Sequence, residues 1–197
     1  MKATRLPDLI LLNGSSSSGK TSISRALQDL LPVGYLAFSV DDVFSWLPMR
    51  WHNSDAGFRF APQPNGELPI ISGPEALTVM RAWRRMVGAA LDAGVRGIVD
   101  DVFTDPGQRS DWAEVLRGRD VFLVGVQCEL QELQRREKDR GDRGDGQALW
   151  QHQRVHAQGS YDFEVDTSSS SPIECATAII SALELRREQS VLGSRSS

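Results

Sequence analysis

The residues with the clearest chemical use form a loop of small and polar side chains, Gly14-Ser15-Ser16-Ser17-Ser18-Gly19-Lys20-Thr21. This run matches the pattern G-x-x-x-x-G-K-[ST] of the phosphate-binding P-loop without a mismatch. Small side chains let consecutive backbone N–H groups turn inward around phosphate oxygens. In this pattern the lysine reaches the terminal phosphates and the last hydroxyl lies on Mg²⁺. The loop therefore predicts an ATP or GTP site, with Lys20 in catalysis and Thr21 on the metal.

A flexible turn that ends in Lys-Thr is the alternative interpretation of the same residues. The flanking sequence argues against it, because an apolar run at 9–13 precedes the loop and apolar residues follow it at helical spacing: Ile23, Leu27, Leu30 and Leu31. A strand before the loop and a helix after it are the context that a P-loop requires. We therefore favour the nucleotide site.

Two pairs of aspartates follow apolar runs elsewhere in the chain, Asp41-Asp42 and Asp100-Asp101. Phosphoryl transfer needs one carboxylate near Mg²⁺ and another that accepts the proton of the attacking hydroxyl. Either member of the second pair could serve the metal, and we assign Asp100 to it and Asp101 to the acceptor. The alternative is that these aspartates only cap a following loop or helix.

A basic cluster precedes a glycine-rich break near residue 141 and consists of Arg135, Arg136, Lys138, Arg140 and Arg143. Residues 136 and 140 share a helix face, and residue 143 lies one turn on. Charge runs are usually solvated surface, but small P-loop kinases carry a lid at this place in the chain. We predict a lid at about 135–150 in which Arg136, Arg140 and Arg143 contact the nucleotide, the first two in catalysis.

Apolar, β-prone runs alternate with helical patterns along the chain. Strands are predicted at 9–13, 35–40, 97–103, 121–128 and 161–166, and helices at 21–31, from Pro74 to about 94, at 108–117, 129–140 and 147–158, and from Pro172 onward. Such alternation requires right-handed crossovers and a parallel sheet covered on both faces. The predicted class is α/β, a P-loop kinase-like three-layer α/β/α fold with a five-stranded parallel sheet and a helical lid. Ligands bind such sheets at the carboxyl ends of the strands.

The segment 43–73 differs from the rest because it carries four prolines, several aromatic residues and little periodicity. A segment of this length inside a domain is more often a functional loop or lid than an accident. It follows Asp41, so we predict that it lines the acceptor pocket. The side chains predicted to contact the acceptor are those of Asp41, Trp46, Met49, Trp51, Phe58 and Asp101.

Composition limits the remaining possibilities. A length of 197 residues predicts a single domain, 1–197, with a flexible leader at 1–7 and a flexible tail at 189–197. A net charge of −4 and a pI near 5.4 give no electrostatic footprint for nucleic acid or for an anionic membrane. No apolar run has membrane-spanning length, and Cys128 and Cys175 lie too far apart for a metal or redox motif. We therefore predict a cytoplasmic protein.

With these residues in view, the sequence resembles the chloramphenicol phosphotransferase family, small P-loop kinases that phosphorylate the primary 3-hydroxyl of chloramphenicol. The likeness runs from about Leu9 to Ala182. It rests on the P-loop and on Leu36–Asp41, Ile98–Phe103, Val124–Cys128, Arg140–Arg143 and Tyr161–Thr167. The sequence departs from the family at Ser15, where relatives have a second glycine, and in the segment around Trp51 and Phe58, where they have smaller aliphatic residues.

The resemblance implies ATP and Mg²⁺ as cofactors and gives each site residue a role. Asp41 falls on the family's base for the acceptor hydroxyl, Lys20 on its phosphate lysine and Thr21 on its metal-side hydroxyl. The lid arginines match at Arg136, Arg140 and Arg143. The family's activity implies a small-molecule acceptor, chloramphenicol or a similar compound, and inactivation of that antibiotic.

Two alternatives to this function stay open. The first is a P-loop kinase for a nucleoside, nucleotide or other metabolite, whose phosphate could be held by Arg50, Arg81, Arg84 or Arg85. The second is a nucleotide-binding regulator that transfers phosphate to no acceptor. The sequence also leaves open whether the chain forms a homo-oligomer and whether it prefers ATP or GTP.

Overall fold

Parallel strands form the centre of the protein in the computed structural model, which describes residues 6–141, 145–157 and 159–193, and side chains as far as residue 186. In chain order the strands are β1 (Leu9–Asn13), β2 (Leu36–Ser39), β3 (Phe58–Phe60), β4 (Ile70–Ser72), β5 (Gly97–Asp101), β6 (Val121–Gln127) and β7 (Phe163–Asp166). Five of them make an all-parallel sheet in the order β2-β5-β1-β6-β7. The predicted sheet is therefore confirmed.

Helices cover both faces of this sheet, as predicted. They are α1 (Lys20–Leu30), α2 (Val40–Trp46), α3 (Pro74–Asp92), α4 (Pro106–Val115), α5 (Leu130–Arg140), α6 (Gln147–His152) and α7 (Pro172–Gly193). Side chains alternate between the two faces of a strand, and β1 shows the result. Ile10 and Leu12 belong to the core beneath α1 and α7, whereas Leu9 and Leu11 belong to the core beneath α2, α3 and α4. The fold is the predicted three-layer α/β/α arrangement.

Strand β2 ends earlier than the sequence suggested. It stops at Ser39, and Asp41 and Asp42 lie in the first turn of α2 rather than at a strand end. Ser39 is the N-cap of that helix, and its Oγ accepts a hydrogen bond from the backbone N–H of Asp41 at 3.2 Å. Acidic residues are favourable in a first helical turn because the helix dipole is positive there. The aspartates thus stay beside the strand end but are held by a helix.

The segment 43–73 contains regular structure that the sequence did not predict. After α2 comes a single 3₁₀ turn, Met49–Trp51, and then an antiparallel hairpin in which β3 pairs with β4. Each hairpin strand has three residues, too few for alternation to be visible in the sequence. The loop prediction is therefore wrong for the end of α2, the 3₁₀ turn and the two hairpin strands, while the rest of the segment lies outside helices and strands.

The chain ends and the lid also differ from the expectations. Pro7 is buried and its carbonyl accepts a hydrogen bond from the Tyr35 hydroxyl, so the predicted leader is fixed at that point. Helix α7 runs to Gly193 and includes the first part of the predicted tail. The helix predicted at 147–158 ends as α6 at His152.

Both cysteines are buried and form no disulfide. No described helix has the length and apolar character needed to cross a membrane.

The hairpin and the lid helices are joined at Gly146. The backbone N–H of Leu68, next to β4, donates to the Gly146 carbonyl at 3.0 Å. The carboxylate of Glu137 on α5 is buried and accepts from the N–H groups of Gly146 and Ala148 at 2.9 and 2.8 Å. This carboxylate therefore caps α6 and joins it to α5, while the Gly146 carbonyl joins the same turn to the hairpin.

Replacing Gly146 by alanine is expected to lower the free energy of unfolding by about 2–4 kcal/mol. Gly146 has a φ of +106°, and an added Cβ would lie 2.2 Å from the Gly66 carbonyl oxygen. Positive-φ strain costs about 1–2 kcal/mol and overpacking about 1–3 kcal/mol. Denaturant unfolding measures the change. Gly141→Ala is the control, because Gly141 also has a positive φ but no atom of the described residues within 4 Å of the added Cβ. Equal losses in the two variants would contradict the close contact.

Candidate active site

A cavity of about 1430 Å³ lies at the carboxyl edge of the sheet. Strand ends, the P-loop, α3 and the lid helices bound it. The predicted site residues that line it are Ser16, Ser17, Gly19, Lys20, Thr21, Asp41, Phe58, Asp100, Asp101, Arg136 and Arg140. The fold therefore brings together residues that are more than a hundred positions apart in the sequence.

The P-loop connects β1 to the first turn of α1 and has the expected compact form. Ser17 and Gly19 adopt left-handed φ values of 63° and 88°, which lets the loop curl before α1 begins at Lys20. The Lys20 side chain is 7% exposed, and its Nζ donates to the carbonyls of Gly14 and Ser15, both at 2.8 Å. The loop, its ammonium group and the helix N-terminus together make an anion-binding site.

Asp100 lies beside this loop and joins it to the sheet. Its Oδ2 accepts from the Thr21 hydroxyl at 3.0 Å and its Oδ1 from the Ser39 hydroxyl at 2.7 Å. The parallel register places Ser39 opposite Asp100, which explains the second contact. Burial raises the pKa of Asp100, while Lys20 and the two hydroxyl hydrogen bonds oppose that rise.

The described residues contain no group of three or more His, Cys, Asp or Glu side chains that could hold a metal alone. This is the usual situation for Mg²⁺ in phosphate chemistry, where one or two protein oxygens act together with water and the phosphates. The Thr21 hydroxyl and the Asp100 carboxylate are oxygen donors of the right kind, 3.0 Å apart. The donor set therefore fits Mg²⁺ bound with a nucleotide.

Asp41 lines the same cavity from the first turn of α2. It is partly exposed and is close enough to Asp100 for its charge to raise the pKa of that residue. Its neighbour Asp42 is exposed and is not part of the cavity lining. Of the first aspartate pair, only Asp41 lines the cavity.

Asp101 borders the cavity, but its carboxylate is already used inside the protein. The residue is 0% exposed, and its Oδ1 accepts from the Val102 N–H at 2.7 Å. Its Oδ2 accepts from Trp112 Nε1 at 2.7 Å and lies 3.5 Å from Arg84 Nη2. Asp101 therefore holds other side chains in place, and its expected contact with the acceptor stays a prediction.

Three residues predicted for the acceptor pocket lie outside its lining. Trp46 and Met49 are 52% and 82% exposed, and Trp51 packs at the edge of the core beneath α3. Phe58 does line the cavity, and its ring centroid is 4.4 Å from that of Phe44. The apolar wall instead comes from α2, the hairpin and α3, through Phe44, Phe58, Phe60, Leu68, Ile70, Leu77 and Met80. The short 3₁₀ turn directs its own side chains elsewhere.

The lid helix α5 contacts the P-loop through Arg136. Its Nη2 donates to the Thr167 carbonyl at 2.6 Å, its Nη1 reaches the Ser17 carbonyl at 3.5 Å, and its Nε donates to Glu132 at 2.7 Å. Arg140 lines the cavity from the last turn of α5. The predicted contact of Arg143 falls outside the described residues.

Nothing in the sequence analysis singled out Gln151, yet its side chain contacts the P-loop. The side chain is 4% exposed and its Oε1 accepts from the Ser16 N–H at 2.5 Å. Gln147, one helical turn earlier, is also buried and lines the cavity. Their i,i+4 spacing on a lid helix is the only signal that could have drawn attention to them.

Comparisons with known proteins agree with this geometry. Residues 7–184 match the family described as "Chloramphenicol phosphotransferase-like protein". Two strains of Mycobacterium tuberculosis carry a relative whose name reads "Putative O-phosphotransferase", 34% identical over 176 residues that cover 85% of this chain and 78% of the relative. The chain therefore belongs to the chloramphenicol phosphotransferase-like family. This confirms the predicted enzyme class, an ATP-dependent phosphotransferase with an alcohol group as acceptor.

Solved structures of low sequence identity share the fold. A sugar kinase from Janibacter sp. is 17% identical with a TM-score of 0.66, and the match covers 89% of this chain and 94% of the kinase. A gluconokinase from Sinorhizobium meliloti is 18% identical with a TM-score of 0.65, covering 96% and 99%. The likeness establishes the P-loop kinase fold that the sequence predicted.

Proposed function

We propose that this member of the chloramphenicol phosphotransferase-like family transfers the γ-phosphoryl group of ATP to a hydroxyl group of a small molecule, with chloramphenicol as the acceptor. The observation that carries the proposal is the shared wall of the cavity, where Lys20, Asp100 and Asp41 lie side by side. These residues supply the charges that phosphoryl transfer needs around one point: a cation, a metal-side carboxylate and a second carboxylate for the acceptor hydroxyl.

In the proposed reaction the acceptor oxygen attacks the γ-phosphorus, and the bond from that phosphorus to the oxygen bridging it to the β-phosphate breaks. ADP leaves with the bond electrons, and the hydroxyl proton passes to an oxygen of Asp41 and then to water. The products are a phosphate monoester, ADP and a proton. The Thr21 hydroxyl and Asp100 would hold Mg²⁺, which neutralises charge on the phosphates when bound.

The remaining residues position the reactants and exclude water. The P-loop N–H groups and Lys20 would bind the phosphates, while Arg136 and Arg140 bring positive charge from the lid. Arg136 already bridges the lid to Ser17 of the P-loop. Catalysis on this arrangement is mainly a matter of geometry and electrostatics.

The aromatic wall supports a ring-bearing acceptor. Phe44, Phe58 and Phe60 line the cavity from the side of Asp41 and offer flat apolar surfaces to a nitroaryl ring. Arg81 and Arg84 also line the cavity, whereas Arg50 and Arg85 do not. The second candidate, a kinase for a polar metabolite, draws its support from these two cavity arginines.

Incubation of the purified protein with ATP, Mg²⁺ and chloramphenicol is expected to give the drug phosphorylated once, at its primary hydroxyl. Mass spectrometry measures the added phosphoryl group, and fragmentation assigns its position. An unmodified drug in a sample that phosphorylates another alcohol would favour the metabolite kinase. A protein that binds ATP but releases phosphate only slowly to water would fit the regulator instead.

A further inference from the structure

The acceptor side of the cavity contains a buried arginine whose hydrogen-bonding capacity is only partly used. Arg84 of α3 is 2% exposed and lines the cavity. Its Nη1 donates to Asp111 Oδ2 at 3.0 Å. Its Nε and Nη2 have no hydrogen-bond partner among the described residues. Buried donors in proteins are almost always satisfied, and Nη2 has an ion-pair contact with Asp101 but no hydrogen bond. Arg84 therefore keeps donors that a ligand in the cavity could use.

The surrounding side chains hold this guanidinium in one place. Asp101 lies 3.5 Å from its Nη2 and is itself fixed by Trp112 Nε1 at 2.7 Å. The guanidinium lies over the Trp112 ring at 5.8 Å, and Trp83 packs edge-on against that ring at 5.5 Å. A charge held by packing and by two carboxylates is preorganised, because no reorientation has to accompany ligand binding.

Charge around Arg84 argues for an uncharged ligand. On α2, α3, the end of β5 and α4, the cavity lining contains two arginines, Arg81 and Arg84, and four aspartates besides the metal-side Asp100, at positions 41, 101, 105 and 111. The excess is negative before any phosphate of ATP is added, so a carboxylate or phosphate on the acceptor would be repelled. A neutral oxygen can still accept from Arg84. The Asp111 side chain, 36% exposed, can accept an O–H or N–H from the same group.

We propose that the Arg84–Asp111 pair is the specificity-determining contact of the acceptor, and that it binds an uncharged hydroxyl or amide group. Arg84 donates to the oxygen of this group and Asp111 accepts its hydrogen. The inference rests on the proposed phosphotransfer and narrows its substrate class to neutral alcohols with a second polar group. Acids and phosphate esters, including nucleotides, are excluded as acceptors.

Acceptors matched in all but one group test the substrate class. The full-length protein is incubated with labelled ATP, Mg²⁺ and one acceptor at a time. The first pair of acceptors is D-glucitol and D-gluconate, and the second pair is chloramphenicol and its deacylated amine. We expect at least about tenfold higher kcat/KM for the neutral alcohol in the first pair and for the amide in the second. Faster transfer to gluconate would overturn the inference and leave the phosphotransferase standing. No transfer to any of the four by a protein that binds ATP would overturn the proposed function as well.

The variant Arg84→Lys tests the residue itself, since lysine keeps the charge but lacks the second and third nitrogens. The KM of the best neutral acceptor is expected to rise about 10- to 100-fold, the loss expected for hydrogen bonds to a charged group, while the KM of ATP stays the same. Arg85→Lys is the control, because Arg85 is exposed and outside the cavity lining. A lower melting temperature with an unchanged acceptor KM would show a purely structural arginine and overturn the inference. Asp111→Asn, on a more exposed side chain, gives a second measurement of the same KM.

Discussion

Lys20→Ala is expected to lower kcat for phosphoryl transfer by about 10²–10³-fold. This is the usual loss, about 10²–10³-fold, when a hydrogen-bond donor directed at the charge of the transition state is removed. The ammonium of Lys20 is nearly buried against the P-loop, where its field is weakly screened by water. Charge on the transferred phosphoryl group is greatest in the transition state, so kcat should fall more than the affinity for ATP.

The same ammonium also donates to the carbonyls of Gly14 and Ser15, so the variant could loosen the loop. Thermal unfolding with and without ATP separates that effect from the loss of catalysis. Lys138→Ala is the matched control, because Lys138 is exposed on the lid helix and lies outside the cavity lining. Transfer at the wild-type rate by a folded Lys20→Ala protein would contradict the assignment of the P-loop.

The parts of the site that the sequence predicted are those encoded within a few neighbouring residues. The P-loop needs its spacing of small residues and a strand before it, both visible in the sequence between Leu9 and Thr21. Asp100 followed from the rule that parallel strands end at the ligand edge. The same rule placed Asp41 at this edge, although a helix rather than the strand holds it. Local pattern and sheet topology together therefore placed these residues at the sheet edge where the cavity lies.

The acceptor side could not be predicted because long-range contacts create it. Trp46 and Met49 have the composition of a pocket wall, but the first turns after β2 expose them to solvent. Phe60 reaches the cavity only because β3 pairs with β4 ten or more residues away. Propensity and periodicity carry no information on such pairings when the strands are this short.

Buried polar contacts were missed for the same reason. Arg84 belongs to a helix whose sequence shows a charged turn, Arg84-Arg85, of the kind that is usually solvated. It is buried because Asp101, Trp112 and Asp111 meet it from two other elements. The burial of a charged residue depends on partners that the sequence places far away.

Asp41→Asn is expected to slow phosphoryl transfer by about 10²–10⁴-fold, which is the usual contribution of a positioned general base. The variant should still bind MgATP. Asparagine keeps the size of the side chain and its place in the first turn of α2 but cannot take the proton of the acceptor. The charge of Asp41 raises the pKa of Asp100, so its removal leaves Asp100 more fully ionised. The metal side of the site should therefore not be weakened, and the loss should be confined to the chemical step.

Asp42→Asn provides the control for this variant, because Asp42 is the adjacent residue in the same helical turn, is exposed and lies outside the cavity lining. Single-turnover transfer from labelled ATP measures the chemical step, and nucleotide titration measures binding in each variant. We expect Asp42→Asn to match the wild type in both. Because Asp41 alone of the pair faces the cavity, equal losses in the two variants would point to the dipole of α2 rather than to a base. Full activity in Asp41→Asn would remove Asp41 from the proton transfer and leave the P-loop site intact.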